Sequence, residues 1–244
     1  MSKIPKIDIK GVIVSNDDAW IYDWLEWEHT SPAKVTTAIA EANGEPLEVY
    51  INSPGGDVYA GSEIYAALME YKGDSVGKIV GVAASAAGVA AMGVKRLLIA
   101  PTAQIMIHNV SSIAWGDHRD MQHEADVLKG WNKSIANAYR IKSGLEESEL
   151  LSMMNKETWL TAQEAKEKGF VDEIMFDEGR RLAATASGLL PPEVVAKLRN
   201  ELMQQRLSGH PNEPMNPQPI VSQGQAAKRS VSFYAKKLSL KREM

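Results

Sequence analysis

The sequence predicts an α/β protein with a largely parallel sheet and flanking helices, and three observations carry that reading. Runs of β-branched and apolar residues alternate along the chain with amphipathic helical patterns. Start and stop residues punctuate the joints: Ser31-Pro32, Asn43-Gly44, Gly73, Gly144 and Lys168-Gly169. One strand-like run, Ser75 to Val82, feeds a stretch of small residues, Gly81 to Gly93, in which Ser85 is the single hydroxyl.

Composition narrows the class. With 244 residues, 44% of them hydrophobic, the chain can bury one large core and still leave a tail. A net charge of −4 gives no general reason to expect nucleic acid. The absence of cysteine removes disulfides, thiolate catalysis and cysteine-ligated metal, and fits a reducing compartment. No apolar run approaches the roughly 20 residues of a membrane span. Residues 1–10 lack the apolar core of a signal peptide. A cytoplasmic protein without a membrane partner is expected.

Taken in order, Ile7 to Val14 reads as a strand, with Gly11 marking a bulge or a close approach. Trp20, Trp24 and Trp27 follow among acidic residues. They read as half-buried cover for the core, or else as an association surface. Ser31 and Pro32 start a helix that Asn43-Gly44 ends, and Leu47 to Ile51 is a short apolar strand. The loop Asn52 to Asp57 holds Pro54 and the pair Gly55-Gly56. A glycine pair at a strand end leaves backbone N–H groups unshielded, although an ordinary turn explains the same residues. The phosphate-loop spacing is absent.

Val58 to Tyr71 is helical, with Ile64, Ala67, Leu68 and Tyr71 on one face. Arg96 to Ile99 and Gln104 to Ile107 are two strands around Pro101. The second ends in His108, which alone of the five histidines closes a buried-looking run. His29, His118, His123 and His210 stand in polar surroundings and read as solvated. A satisfied core histidine is the plain alternative for His108; no neighbour lies at metal-ligand spacing. After a loop over 109–116, Asp117 to Lys142 is the longest helical pattern. It suggests a protruding arm that packs on a neighbouring subunit. Glu146 to Met154 is a shorter helix, Thr161-Ala-Gln-Glu164 a capping box, and Phe170 to Phe176 the last strand.

The expected organisation is a main domain over 1–176, a helical extension over 177–207 and a tail over 208–244. Within the extension 192–207 suits one amphipathic helix. The tail carries four prolines between 211 and 219 and a net charge of +5 over 228–244, which leaves −9 for the rest. It reads as a solvated tail or a docking segment for an acidic partner.

The chemistry turns on Ser85 and His108. A serine on a turn between strand and helix is well presented for nucleophilic attack, and the helix start behind it aims N–H groups at developing negative charge. Small-residue helices also exist merely to pack against sheets, so this stretch leaves a structural serine open.

Four motifs in order resemble the proteolytic subunit of the Clp protease: Ile-Asn-Ser-Pro-Gly-Gly (51–56), Ala-Ala-Ser (83–85), Met-Ile-His (106–108) and Trp-Leu-Thr-Ala-Gln-Glu-Ala with Gly-Phe-Val-Asp-Glu-Ile (159–174). The likeness covers about residues 7–176. It implies the ClpP/crotonase fold, assembly into heptameric or stacked rings, and serine endopeptidase chemistry on polypeptide substrates with no cofactor or metal. It further implies Ser85 as nucleophile, His108 as general base, and backbone N–H groups of Gly56 and Ala86 as the oxyanion hole. Gly55, Asp57 and Asn109 are expected to contact the peptide, which would add as a strand beside the glycine pair.

Two departures matter. The family's usual triad aspartate is Glu157 here, which can still orient an imidazole, with Asp172 as competitor. The axial loop ahead of the first strand is at most a few residues, which argues against an AAA+ unfoldase partner. Together with the tail, this points to ClpP-like head-maturation proteases of tailed phages, which act on scaffold and capsid proteins inside the prohead. The alternatives are a housekeeping ATP-dependent subunit, a crotonase-like acyl-CoA enzyme and an inactive scaffold module.

Overall fold

The computed structural model describes residues 4–177 together with Ala196, Arg199 and Asn200. The chain divides into two compact units, Met1–Arg181 and Leu182–Met244, and the architecture below is that of the first. The helix expected over 192–207 and the tail over 208–244 lie outside the described residues, save for those three positions.

In chain order the elements are β1 (Lys6–Ile13), α1 (Ala19–Trp24), β2 (His29–Thr30), α2 (Pro32–Ala42), β3 (Leu47–Gly56), α3 (Val58–Glu70), β4 (Ser75–Ala84), α4 (Ala86–Ala91), β5 (Arg96–Ile99), β6 (Gln104–Ile107), α5 (His118–Ser143), α6 (Glu147–Asn155), β7 (Thr158–Thr161), α7 (Ala162–Glu167) and β8 (Glu173–Ile174). The sheet runs β2-β1-β3-β4-β5-β8, all parallel. β6 joins β4 in parallel and β7 joins β6 antiparallel.

The strand β4 holds two neighbours on one edge. Val76 to Ile79 pairs with β5, and Val82 to Ala84 pairs with β6. The turn at Pro101 lets the chain leave the first half of that edge and return to the second. β6 therefore ends beside the end of β4.

Ile9, Ile51, Ile79, Leu97, Ile99 and Ile105 form the fully buried centre. The first five residues of β3 and of β4 alternate buried and partly exposed positions. A parallel strand buried on both faces would instead be apolar throughout. On the more open face Lys78 Nζ bonds Glu48 Oε1 at 2.6 Å, and Tyr50 donates to Glu48 Oε2 at 2.9 Å.

Several expectations are corrected. The segment 52–56 is not a free loop but the continuation of β3, paired with Lys10, Val12 and Ile13 of β1. The irregularity in that pairing falls at Gly11. This glycine sits at φ +65 where a Cβ would lie 1.8 Å from the Glu28 carbonyl oxygen. Trp20 and Trp24 are 66% and 69% exposed, so they do not cover the core. The helix of six residues that carries them buries none of its own.

His29 is buried rather than solvated. Its ring lies against Tyr22, with Nδ1 2.9 Å from the Trp27 carbonyl and Nε2 2.8 Å from Lys34 Nζ. The strand expected over 170–176 shrinks to Glu173–Ile174, and β2 and β7 were not foreseen. The capping box at Thr161 and Glu164 and the left-handed stop at Asn43 form as the residues suggest.

Candidate active site

Ser85 occupies the joint between β4 and α4 at φ +54, ψ −125, a conformation that costs a non-glycine residue about 1–3 kcal/mol. Two backbone bonds hold it there: its N–H donates to the Met106 carbonyl at 2.9 Å, and its carbonyl accepts from Val89 at 3.1 Å. The first ties the elbow directly to β6. Gly55 supplies the clearance on the other side. At φ +92, a Cβ on it would lie 2.6 Å from the Ala84 oxygen and 2.9 Å from the Ala86 nitrogen.

His108 directly follows β6, and its Nε2 lies 2.7 Å from Ser85 Oγ. A neutral ring that accepts the serine proton at Nε2 carries its own hydrogen on Nδ1, which then needs an acceptor.

Glu157 directly precedes β7 and His108 directly follows β6, so both adjoin the last pair of that antiparallel ladder, Ile107–Thr158. The described hydrogen bond of the Glu157 carboxylate is with the Trp159 indole N–H, at 3.3 Å, and none links it to His108. Its backbone is left-handed, at φ +49.

Asp172 is engaged elsewhere. It accepts from the Leu97 N–H and from Lys142 Nζ, both at 2.6 Å, next to the pairing of β5 with β8. Burial opposes its charge, yet the Leu97 N–H, the Lys142 ammonium and Arg96 together hold its carboxyl below the ordinary range. This is a strand-end structural carboxylate.

The other residues singled out from sequence divide. Gly56, Asp57, Ala86, Ser85 and His108 line one cleft of about 440 Å³. Ala86 is the first residue of α4, so its N–H has no acceptor within the helix. Asp57 caps α3 through Ala60 N–H at 2.7 Å while facing the cleft. Gly55 lies beneath it, with its N–H given to Ser53 Oγ at 3.1 Å. Asn109 is not among the residues that line the cleft: its Nδ2 donates to Asn155 Oδ1 at 2.8 Å, and its own Oδ1 is buried with no hydrogen-bond partner among the described residues.

One wall escaped the sequence reading. Glu124, Leu128, Trp131, Ile135 and Tyr139 of α5 line the cleft at helical spacing, facing Tyr59 of α3. The signal was present, because Leu128, Ile135 and Tyr139 form the apolar stripe of that helix. It could be read as a packing face, but the cleft it borders comes from the sheet. Among the described residues no group of three histidines, cysteines or carboxylates could hold a metal, and no helix is long and apolar enough to cross a membrane.

Fold and site together define an α/β protein with a serine–histidine pair at a strand–helix elbow, a geometry suited to acyl transfer. The family model for Clp protease matches residues 24–178, and the chain belongs to that family. An ATP-dependent Clp protease proteolytic subunit from Bacteroides fragilis is 34% identical over 136 residues, 54% of this chain and 65% of the relative. A proteolytic subunit 1 from Leifsonia xyli subsp. xyli is 30% identical over 161 residues, 65% of this chain and 81% of the relative. The chain thus spans just under two thirds of the Bacteroides relative's length. A solved ClpP1 mutant from Listeria monocytogenes superposes with a TM-score of 0.58 at 20% identity, over 72% of this chain and 93% of that one, which establishes the fold.

Proposed function

We propose that this chain is a serine endopeptidase that hydrolyses peptide bonds through Ser85, His108 and Glu157. The observation that carries the reading is the 2.7 Å contact between His108 Nε2 and Ser85 Oγ on a strained elbow at the floor of a cleft. His108 takes the serine proton as Oγ attacks the peptide carbonyl, and the Gly56 and Ala86 N–H groups receive the oxyanion. Collapse of the tetrahedral intermediate releases the amine, which takes that proton from His108. Water, activated by the same ring, then frees the acyl group. Glu157 turns from the Trp159 indole to the His108 Nδ1–H and steadies the imidazolium. Gly55 shapes the oxyanion loop, and Asp57 borders the peptide; Asn109 braces the segment that carries Glu157.

The active form proposed is a homo-oligomeric ring, with the face of the long α5 that does not line the cleft as its packing surface. The finer setting proposed is the tailed-phage prohead, where the substrates are scaffold and capsid proteins. The proline-rich, basic composition of 208–244 supports it. A second setting, an ATP-dependent subunit served by an AAA+ unfoldase, is favoured by the names of the curated relatives.

The test is cleavage of an unfolded polypeptide by wild type and Ser85→Ala, with native mass recorded for both. Cleavage by wild type alone, with equal assembly, supports the peptidase; equal turnover refutes it. ATP-dependent degradation of a folded substrate on adding an AAA+ unfoldase decides for the second setting.

A further inference from the structure

The cleft beside Ser85 has a chemical bias that the peptidase reading does not use. Apolar side chains, Val89, Val110, Val127, Leu128 and Ile135, share its walls with the hydroxyls of Ser111 and Ser112. Among the described residues two carboxylates line it, Asp57 and Glu124, and no lysine or arginine does. Asp57 is committed to capping α3. Glu124 is partly buried on the apolar face of α5 and forms no hydrogen bond or ion pair with any described residue. A carboxylate that no protein cation occupies is open to a cation brought by a ligand.

Two rings reinforce the bias. Tyr59 and Trp131 meet edge to face with centroids 4.8 Å apart, and both line the cleft. Tyr59 is 62% exposed, so its ring is open to a ligand. Aromatic faces attract cations, guanidinium most readily. A cleft with an unpaired carboxylate, two rings and valine and leucine side chains fits a side chain with an apolar stem and a cationic head.

We propose that Glu124, with Tyr59 and Trp131, selects peptides that place arginine or lysine in this cleft. This inference rests on the peptidase reading, and it names the substrate class of that site. An acidic side chain would meet two carboxylates and be rejected.

The experiment uses the full chain and peptides that differ only in the residue on the acyl side of the scissile bond: arginine, lysine, norleucine or glutamate. Fluorophosphonate labelling of Ser85 is measured on the same samples. For wild type, kcat/KM is expected to favour arginine and lysine over norleucine by about tenfold, with glutamate lowest. Glu124→Gln should bring the arginine-to-norleucine ratio to within about twofold, and Glu124→Lys should raise glutamate above arginine. The wild-type ratio should also shrink with added salt. Labelled Ser85 with norleucine equal to or above arginine overturns the selectivity alone, as does a ratio that survives Glu124→Gln. Absence of both labelling and turnover overturns the peptidase reading, and the selectivity with it.

Discussion

The indole N–H of Trp159 donates to Glu157 Oε1 at 3.3 Å, on the strand that runs antiparallel beside the one ending in His108. A carboxylate adjoining the last pair of that ladder, Ile107–Thr158, is thus bound by an indole donor, on a backbone held left-handed at φ +49. That contact is a single solvent-exposed bond, worth about 1 kcal/mol or less. A charged imidazolium is the stronger attractor.

Glu157→Ala is therefore expected to lower kcat by about two to four orders of magnitude, as loss of an orienting acid does in serine triads. Trp159→Phe, which keeps the ring and removes the donor, should leave kcat within about threefold or raise it. Asp172→Ala should cost activity only in proportion to folded protein lost. Steady-state kinetics on peptide cleavage ranks the three, and Asp172→Ala falling furthest at full folding would move the acid.

Gly55→Ala tests the clearance under the elbow. The new Cβ would lie 2.6 Å from the Ala84 oxygen and 2.8 Å from Ser85 Cβ, at φ +92. Backbone must move, so both thermal stability and Ser85 reactivity should fall, the former by about 2 kcal/mol or more. Gly44→Ala is the control: φ is +83 but nothing lies within 4 Å, so about 1 kcal/mol and unchanged activity are expected.

The acid limb of stability should depend on Asp172. Its folded-state carboxyl sits below the ordinary value, since Leu97, Lys142 and Arg96 outweigh burial. Such a group stabilises fully above the unfolded value of about 3.9 and loses that contribution as pH falls through the lower folded value. Tm measured from pH 6 downward should drop less steeply below about pH 4 in Asp172→Asn than in wild type. It should start lower at neutral pH. Parallel curves would contradict the assignment.

These contrasts show what the chain made legible. Val58–Glu70 was readable because burial of one helix face dictates residue type at a fixed spacing, and Gln104–Ile107 because three successive buried positions demand an apolar run. Ser85 and His108 stood out as lone polar groups closing apolar runs. β7 was not readable: Thr158, Trp159, Leu160 and Thr161 bury only Leu160, and their pairing with β6 is non-local. His29 looked solvated among polar neighbours, yet Tyr22 on α1 and Lys34 on α2 fold back against it, a packing of two helices on β2 that residue types alone do not show. The glycine pair looked like a turn because sequence cannot show that Val12 and Ile13, about forty residues earlier, pair with it past a register shift and so continue the strand. Glu124 was invisible as a cleft residue for the same reason.

The central claim is that Ser85 Oγ is made nucleophilic by His108, and covalent labelling tests it most directly. Wild type, Ser85→Ala and His108→Ala, assembled to the same native mass, are treated with a fluorophosphonate and the adduct is located by peptide mass mapping. A single adduct on Ser85 in wild type, none in Ser85→Ala and at least about a hundredfold slower labelling in His108→Ala is the result predicted. Labelling of Ser85 at an equal rate without His108, or no labelling of the assembled wild type, would contradict it.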